Sequence, residues 1–309
     1  MKGLTRLVAI FTLLFLLWVV TVLYFNTVDY IKPSLRRVAS ETKKPCNHLI
    51  VVAGHAVVKI NGVHAADVLD SSWYLLSYQM NQGYPGIITS HIKTGIQIAN
   101  ADDRSILIFS GGQTRKNVGP ISEASSYYYV AEDKNWVSPS VKSRLFLEEF
   151  ARDSFENLLF SVCRFREVTG SYPSKITVIG FDFKKHRFTD LHREAIGFPA
   201  ANFSYVGLTA NPRYFNQERA ERGEVYATKS FEMDRYGCSD SSLRDKRDIR
   251  NPFRRTVPYM LACPELKELL QWCEKDFYNG IDTLPWKSDA VAPYRPASSD
   301  VESVSQDIH

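Results

Sequence analysis

Residues 49–55 read Leu-Ile-Val-Val-Ala-Gly-His. Four consecutive apolar side chains, too few for a helix and without a polar face, fit a strand buried on both sides of a parallel sheet. Gly54 then lets the backbone pass close to whatever lies at the strand exit, and His55 places an imidazole there. Short apolar runs recur at 106–109, 145–147, 176–179 and 205–208. The segments between them carry helical spacing. The clearest starts near Ser154, where Phe155, Leu158, Leu159, Val162 and Phe165 repeat at three and four residues until Gly170 and Pro173 stop it. Further helices are predicted over 68–82, 87–100, 122–133 and 265–276. Strands alternating with helices argue for βαβ units, hence an α/β, Rossmann-like three-layer sandwich with a mainly parallel sheet.

In such a sheet ligands bind outside the carboxyl ends of the strands, where loops meet helix N-termini. Four loops of this chain follow such strands. The first carries Gly54 and His55, although a lone histidine is more often a hydrogen-bonded structural residue. The second is Ser110-Gly111-Gly112, with Ser122-Glu123-Ala124 opening the next helix; paired glycines can cradle an anion on backbone N–H groups, and are also common in plain turns. The third runs Asp153-Ser154-Phe155-Glu156-Asn157, where Asp153 and Glu156 form a capping box that accounts for both carboxylates without a ligand. The fourth holds Asp182, Lys184 and Arg187, against the plainer possibility of a solvated charged helix start. Glu123, Glu156, Asp182 and Arg187 are the catalytic candidates. Gly54, His55, Ser110, Gly111, Gly112, Asp153, Ser154, Asn157 and Lys184 are the ligand-binding ones.

The ends of the chain differ in character. Residues 7–25 are uncharged and at ~1.5 Å per residue reach roughly 28 Å, enough to span a bilayer as a helix. The run exceeds the usual core of a cleaved signal peptide and lacks a small-residue cleavage site after it. The domains expected are a short tail (1–6), a transmembrane signal-anchor (7–25), a basic linker (26–46), one α/β domain with a C-terminal extension (47–284, the extension from about 210) and a disordered tail (285–309). Basic residues follow the span as well as precede it, so the positive-inside rule does not favour a lumenal domain, which is preferred on the anchor's position alone.

Composition excludes little else. With 44% hydrophobic residues among 309, the chain buries a sizeable core. A net charge of +4 from 38 basic and 34 acidic residues gives no reason to expect nucleic acid. Five cysteines, at 46, 163, 238, 263 and 273, form no C-x-x-C pair, and no metal site is expected. Two disulfides with a free thiol and five reduced thiols are both compatible with the spacing.

The order of the four loops resembles the YdcF/SanA-like family of domains of unknown function, over about 47–206. The resemblance is carried by Val51-Val52-Ala53-Gly54, by Ser110-Gly111-Gly112 with Ser122-Glu123-Ala124, and by Glu149 with Asp153-Ser154-Phe155-Glu156-Asn157. Asp153 and Ser154 stand where Asn and Thr are usual. Lys184 stands where bacterial members have His, while Arg187 keeps the Arg. Residues 233–259 resemble an extension in fungal and plant members; taken alone they are an exposed mixed-charge loop in which Cys238 has no partnering base. The resemblance implies a nucleotide-like or S-adenosylmethionine type of ligand and no settled reaction. The expected function is thus a membrane-anchored enzyme, a transferase or hydrolase for a small anionic or nucleotide-like ligand, in cell-surface or lipid-linked glycan metabolism. The alternative is a non-catalytic ligand-binding or scaffold protein. The membrane is expected to be endoplasmic reticulum or Golgi rather than mitochondrial.

Overall fold

The computed structural model describes residues 45–287, except 212 and 214, together with Trp18 and Thr21. The predicted span, most of the linker and the tail beyond 287 lie outside the described residues. No helix among the described residues is long and apolar enough to cross a membrane.

Five parallel strands form the central sheet: β1 (His48–Ala53), β4 (Ser105–Ser110), β5 (Leu145–Glu148), β6 (Lys175–Phe181) and β7 (Phe203–Leu208), in the order β5-β4-β1-β6-β7. A two-stranded antiparallel pair, β2 (Val57–Val58) and β3 (Trp73–Tyr74), lies apart from it. In β1 the side chains alternate between two cores. Leu49, Val51 and Ala53 share one cluster with Phe155, Leu158 and Val162; Ile50 and Val52 share the other with Ile88, Ile92 and Tyr127. Because both faces are covered, the strands read as continuous apolar runs. The result is a three-layer α/β fold consistent with the Rossmann-like class.

Five helices of nine residues or more accompany the sheet among the described residues: α1 (Tyr84–Ala101), α2 (Glu123–Asp133), α3 (Ser154–Thr169), α4 (Gln217–Met233) and α5 (Ser241–Ile249). Ser122 caps α2 by accepting from the Ser125 N–H, and Asp153 caps α3 by accepting from the Glu156 N–H.

Four expectations differ from the structure. The stretch 68–82 is not a helix but a short 3-10 turn, β3 and turns, with Val68, Leu69, Leu76 and Met80 exposed; only Trp73 and Leu75 reach the core, so its buried side chains follow no helical period. The stretch 265–276 is helical only at its start, a 3-10 turn at Pro264–Leu266 running into an α-helix over Lys267–Gln271, and beyond it Cys273 is bonded to Cys238 across 5.5 Å between Cα atoms. Residues 233–259 are not an exposed loop: they contain α5, whose Leu243 and Arg247 are buried. The cysteines match neither alternative, with one disulfide and free thiols at Cys46, Cys163 and Cys263.

Candidate functional site

From β1 the chain moves outward through β4 to β5, then crosses back to β6 and β7. The crevice at such a reversal is where open α/β sheets take ligands. A cavity of about 440 Å³ lies there, within the range of small-molecule sites. Its floor is made by the exits of β1 (Gly54, His55), β4 (Thr114, Arg115), β5 (Arg152 to Ser154) and β6 (Phe183, Lys184 and Arg187). Its roof comes from α4 and α5, through small or polar inward residues such as Gly223, Glu224, Ala227 and Lys246.

Of the residues singled out from sequence, Gly54, His55, Glu123, Asp153, Ser154, Asn157, Lys184 and Arg187 line the cavity, whereas Ser110, Gly111, Gly112, Glu156 and Asp182 do not. The glycine pair is no anion cradle. The Gly111 N–H donates to Glu148 O at 2.9 Å and the Gly112 N–H to Ala151 O at 2.8 Å. What glycine provides is room: a Cβ on Gly54 would lie 2.6 Å from Glu123 Oε2, and one on Gly111 would lie 2.8 Å from Glu123 Cβ. Ser110 is buried and donates to Glu148 Oε2 at 2.6 Å. Glu156 takes the backbone N–H and guanidinium of Arg152, so this carboxylate holds the loop before α3. Asp182 is exposed and packs against Gly207 on β7.

Glu123 is different. It is the first residue of α2, and its Oε1 accepts from Thr114 Oγ1 at 2.7 Å. Among the described residues it has no ion pair, although Asp153 is bonded to Arg247 at 2.7 Å and Glu224 to Arg187 at 2.8 Å. Burial raises the Asp153 carboxyl, but the Arg247 guanidinium outweighs it and holds the group well below the usual range. Glu123 is therefore the carboxylate on the wall without a cationic partner.

The cations are in excess. Arg115, Arg152, Lys184, Arg187, Arg219, Lys246 and Arg250 line the cavity against three carboxylates. Only Arg152 and Arg187 have carboxylate partners among the described residues. Lys184 Nζ lies 3.1 Å from His55 Nδ1 and over the rings of Phe181 and Phe183. Burial, and then the nearby Arg187, lower its amine to about 7; burial and Arg250 lower Lys246 to about 8. Burial and Lys184 hold His55 far below its ordinary value, so its imidazole is neutral. Such a wall suits an anion, and it gains charge when one enters.

The cavity has a second character on the side of the 75–84 segment. Tyr78, Tyr84, Phe183 and Phe215 line it together with Gln82 and Asn216. Phe183 and Phe215 stack at 15° with centroids 6.1 Å apart, and Tyr84 lies 5.9 Å from Phe215. Two cations border this aromatic end: Lys184 over the Phe183 ring and Arg219, which also lines the cavity.

Ser154, at the first position of α3, has two partners. Its Oγ lies 2.8 Å from His192 Nε2 and accepts from Arg187 Nη1 at 3.0 Å. Arg187 in turn holds Glu224 of the roof through Nε and Nη2, so its charge is already matched rather than free for a ligand.

Sequence reasoning missed Lys246, Arg247 and Arg250, because residues 233–259 read as a loop, and His192, which has no motif around it. It also placed the acidic strand end at Glu149. The buried carboxyl is Glu148, raised to about 7 by burial and bonded to Ser110, Tyr259 and two backbone N–H groups; the β4–β5 register, which pairs Ser110 with Glu148, is the signal that finds it. Among the described residues no group of three His, Cys, Asp or Glu is placed to hold a metal ion.

No protein-family model matches the chain, and no solved structure matches it. Among curated proteins it is 32% identical over 296 residues to the uncharacterized protein YOR238W of Saccharomyces cerevisiae, covering 78% of this chain and 97% of the yeast protein. At that identity and coverage, the chain belongs to the family of the yeast protein YOR238W.

Proposed function

We propose that this protein is an enzyme, a transferase or hydrolase, that takes a small anionic, nucleotide-like ligand at the carboxyl edge of its sheet, with Glu123 as the acid–base group. The observation that carries this is the excess of cationic side chains around a cavity into which one unpaired carboxylate, Glu123, projects. Phosphate or carboxylate groups of a ligand would satisfy Lys184, Lys246 and Arg250, and a planar ring fits the Tyr84 and Phe215 end. The same lining disfavours the sulfonium cation of S-adenosylmethionine, so a nucleotide is the better fit of the two.

The uncharged run 7–25 supports a single-pass anchor, and with it an endoplasmic reticulum or Golgi membrane and a role in lipid-linked or cell-surface glycan metabolism. The ordered loop motifs support membership of the YdcF/SanA-like family. The alternative is a non-catalytic binding protein, and one observation favours it: Glu156 and Asp182 do not line the cavity, which leaves fewer acid–base groups than the sequence suggests.

Calorimetric titration of the purified protein with pyrophosphate, and with nucleoside diphosphates, tests the enzyme reading. Each charged hydrogen bond contributes about 1.5–3 kcal/mol, so Lys246→Ala and Arg250→Ala are each expected to weaken binding about tenfold or more. Glu123→Gln should bind at least as tightly while losing turnover of the ligand so identified. Equal affinity in wild type and both cation variants refutes an anion site, and unchanged turnover in Glu123→Gln refutes the acid–base role.

A further inference from the structure

Ser154 and His192 form a nucleophile and base pair at the cavity wall, and we propose that Ser154 attacks a phosphoanhydride of the bound ligand with His192 as general base. This rests on the anion-binding site described above and names the reaction performed in it.

Four observations converge on this hydroxyl. Ser154 lines the cavity and is partly exposed to it, so its Oγ can reach a ligand. His192 Nε2 lies 2.8 Å behind that oxygen, the spacing at which a base takes a serine proton. His192 Nδ1 is buried without a hydrogen-bond partner, in a cage of Phe155, Phe188 and Phe231 whose ring centroids lie 4.6–5.8 Å from the imidazole. A buried N–H among aromatic rings is better accommodated than an unpaired lone pair. The proton therefore belongs on Nδ1, which leaves Nε2 as the acceptor of the Ser154 O–H. Finally, Arg187 Nη1 donates to the same Oγ, and the N-terminus of α3 adds its partial positive charge. Both lower the cost of an alkoxide.

The step balances within these groups. Ser154 Oγ bonds to the terminal phosphorus as the bond from phosphorus to the bridging oxygen breaks, and the Oγ proton passes to His192 Nε2. The remaining phosphate departs as an anion, neutralised by Lys246 and Arg250, so no acid is needed to protonate it. Water, or an acceptor hydroxyl, then attacks the phosphoserine. The P–Oγ bond breaks, His192 returns its proton to Oγ, and Glu123, on the same cavity wall, takes the proton of the attacking hydroxyl as general base and passes it to the product phosphate or to solvent. Lys184 is on the wall to hold the oxygens of the transferred group.

The test uses the purified full chain in detergent, a fluorophosphonate as serine probe, and pyrophosphate as phosphoryl donor, with the modified residue located by peptide mass spectrometry after acid quenching. Wild type is expected to label at Ser154 with the fluorophosphonate and to carry phosphate on Ser154 during pyrophosphate turnover. Ser154→Ala should lose both while still binding pyrophosphate. His192→Gln should slow labelling about a hundredfold or more, the range of general-base contributions. An unlabelled, unphosphorylated Ser154 in wild-type protein that still binds pyrophosphate overturns the nucleophile and leaves the anion site standing. Failure to bind pyrophosphate or any nucleoside diphosphate overturns both.

Discussion

Lys184 enters the cavity over two phenylalanine rings, 5.3 Å from the Phe181 centroid and 5.8 Å from that of Phe183, with a neutral imidazole as its polar contact. Its amine titrates near 7, from burial first and Arg187 second. Unfolded, the side chain stays protonated to about pH 10.5; folded and empty, it loses its proton above about 7. The unfolded state thus binds more protons between those values, so this group's contribution to stability rises with pH there and is least favourable below pH 7. A bound anion reverses the depression. Pyrophosphate binding at pH 8 is therefore expected to take up protons, seen as a dependence of the apparent binding enthalpy on buffer ionisation heat, and affinity should fall as pH rises from 6 to 9. Lys184→Met should be most stabilising below pH 7 and without effect above pH 10.5. A binding enthalpy indifferent to the buffer at pH 8 would contradict a neutral lysine.

Helix α5 is held to the sheet edge by Arg247, whose Nε donates to Asp153, the cap of α3, at 2.7 Å and lies 3.4 Å from Glu156. Arg247→Ala leaves a buried carboxylate without its partner, which typically costs about 3–5 kcal/mol. Chemical unfolding should show a loss of that order together with loss of anion binding, because the roof carries Lys246 and Arg250; a loss below about 1 kcal/mol, the typical worth of an exposed pair, would mean that α5 does not depend on this contact. The roof also marks where the sequence stopped being legible. The strands and α3 were readable because each buries apolar residues on a regular period. Helix α4, QERAERGEVYATKSFEM, turns Gly223, Glu224, Ala227 and Ser230 inward. A helix that lines a cavity with small and polar groups has no apolar stripe to read. In α5 the inward pair is Leu243 and Arg247, one apolar and one charged, and again no period results. The stretch 68–82 failed in the opposite sense, since apolar residues at helical spacing are exposed on turns.

For the molecule as a whole, the strand order places the exits of β1 and β6 side by side, bringing His55 against Lys184 although 129 residues separate them. That reversal of direction, rather than any single motif, gathers the candidate residues, and it explains which were legible. The loop residues after the strands gather near one edge, but whether Ser110, Glu156 or Asp182 faces the cavity depends on hydrogen bonds and pleat direction that spacing does not encode. Small molecules released from the purified full chain, identified by mass spectrometry beside a Lys184→Ala, Lys246→Ala, Arg250→Ala triple variant, test the anion site most directly. A phosphate-bearing compound near stoichiometric in wild type and lost from the folded variant is the expected result; a neutral or cationic compound retained equally by both would contradict it.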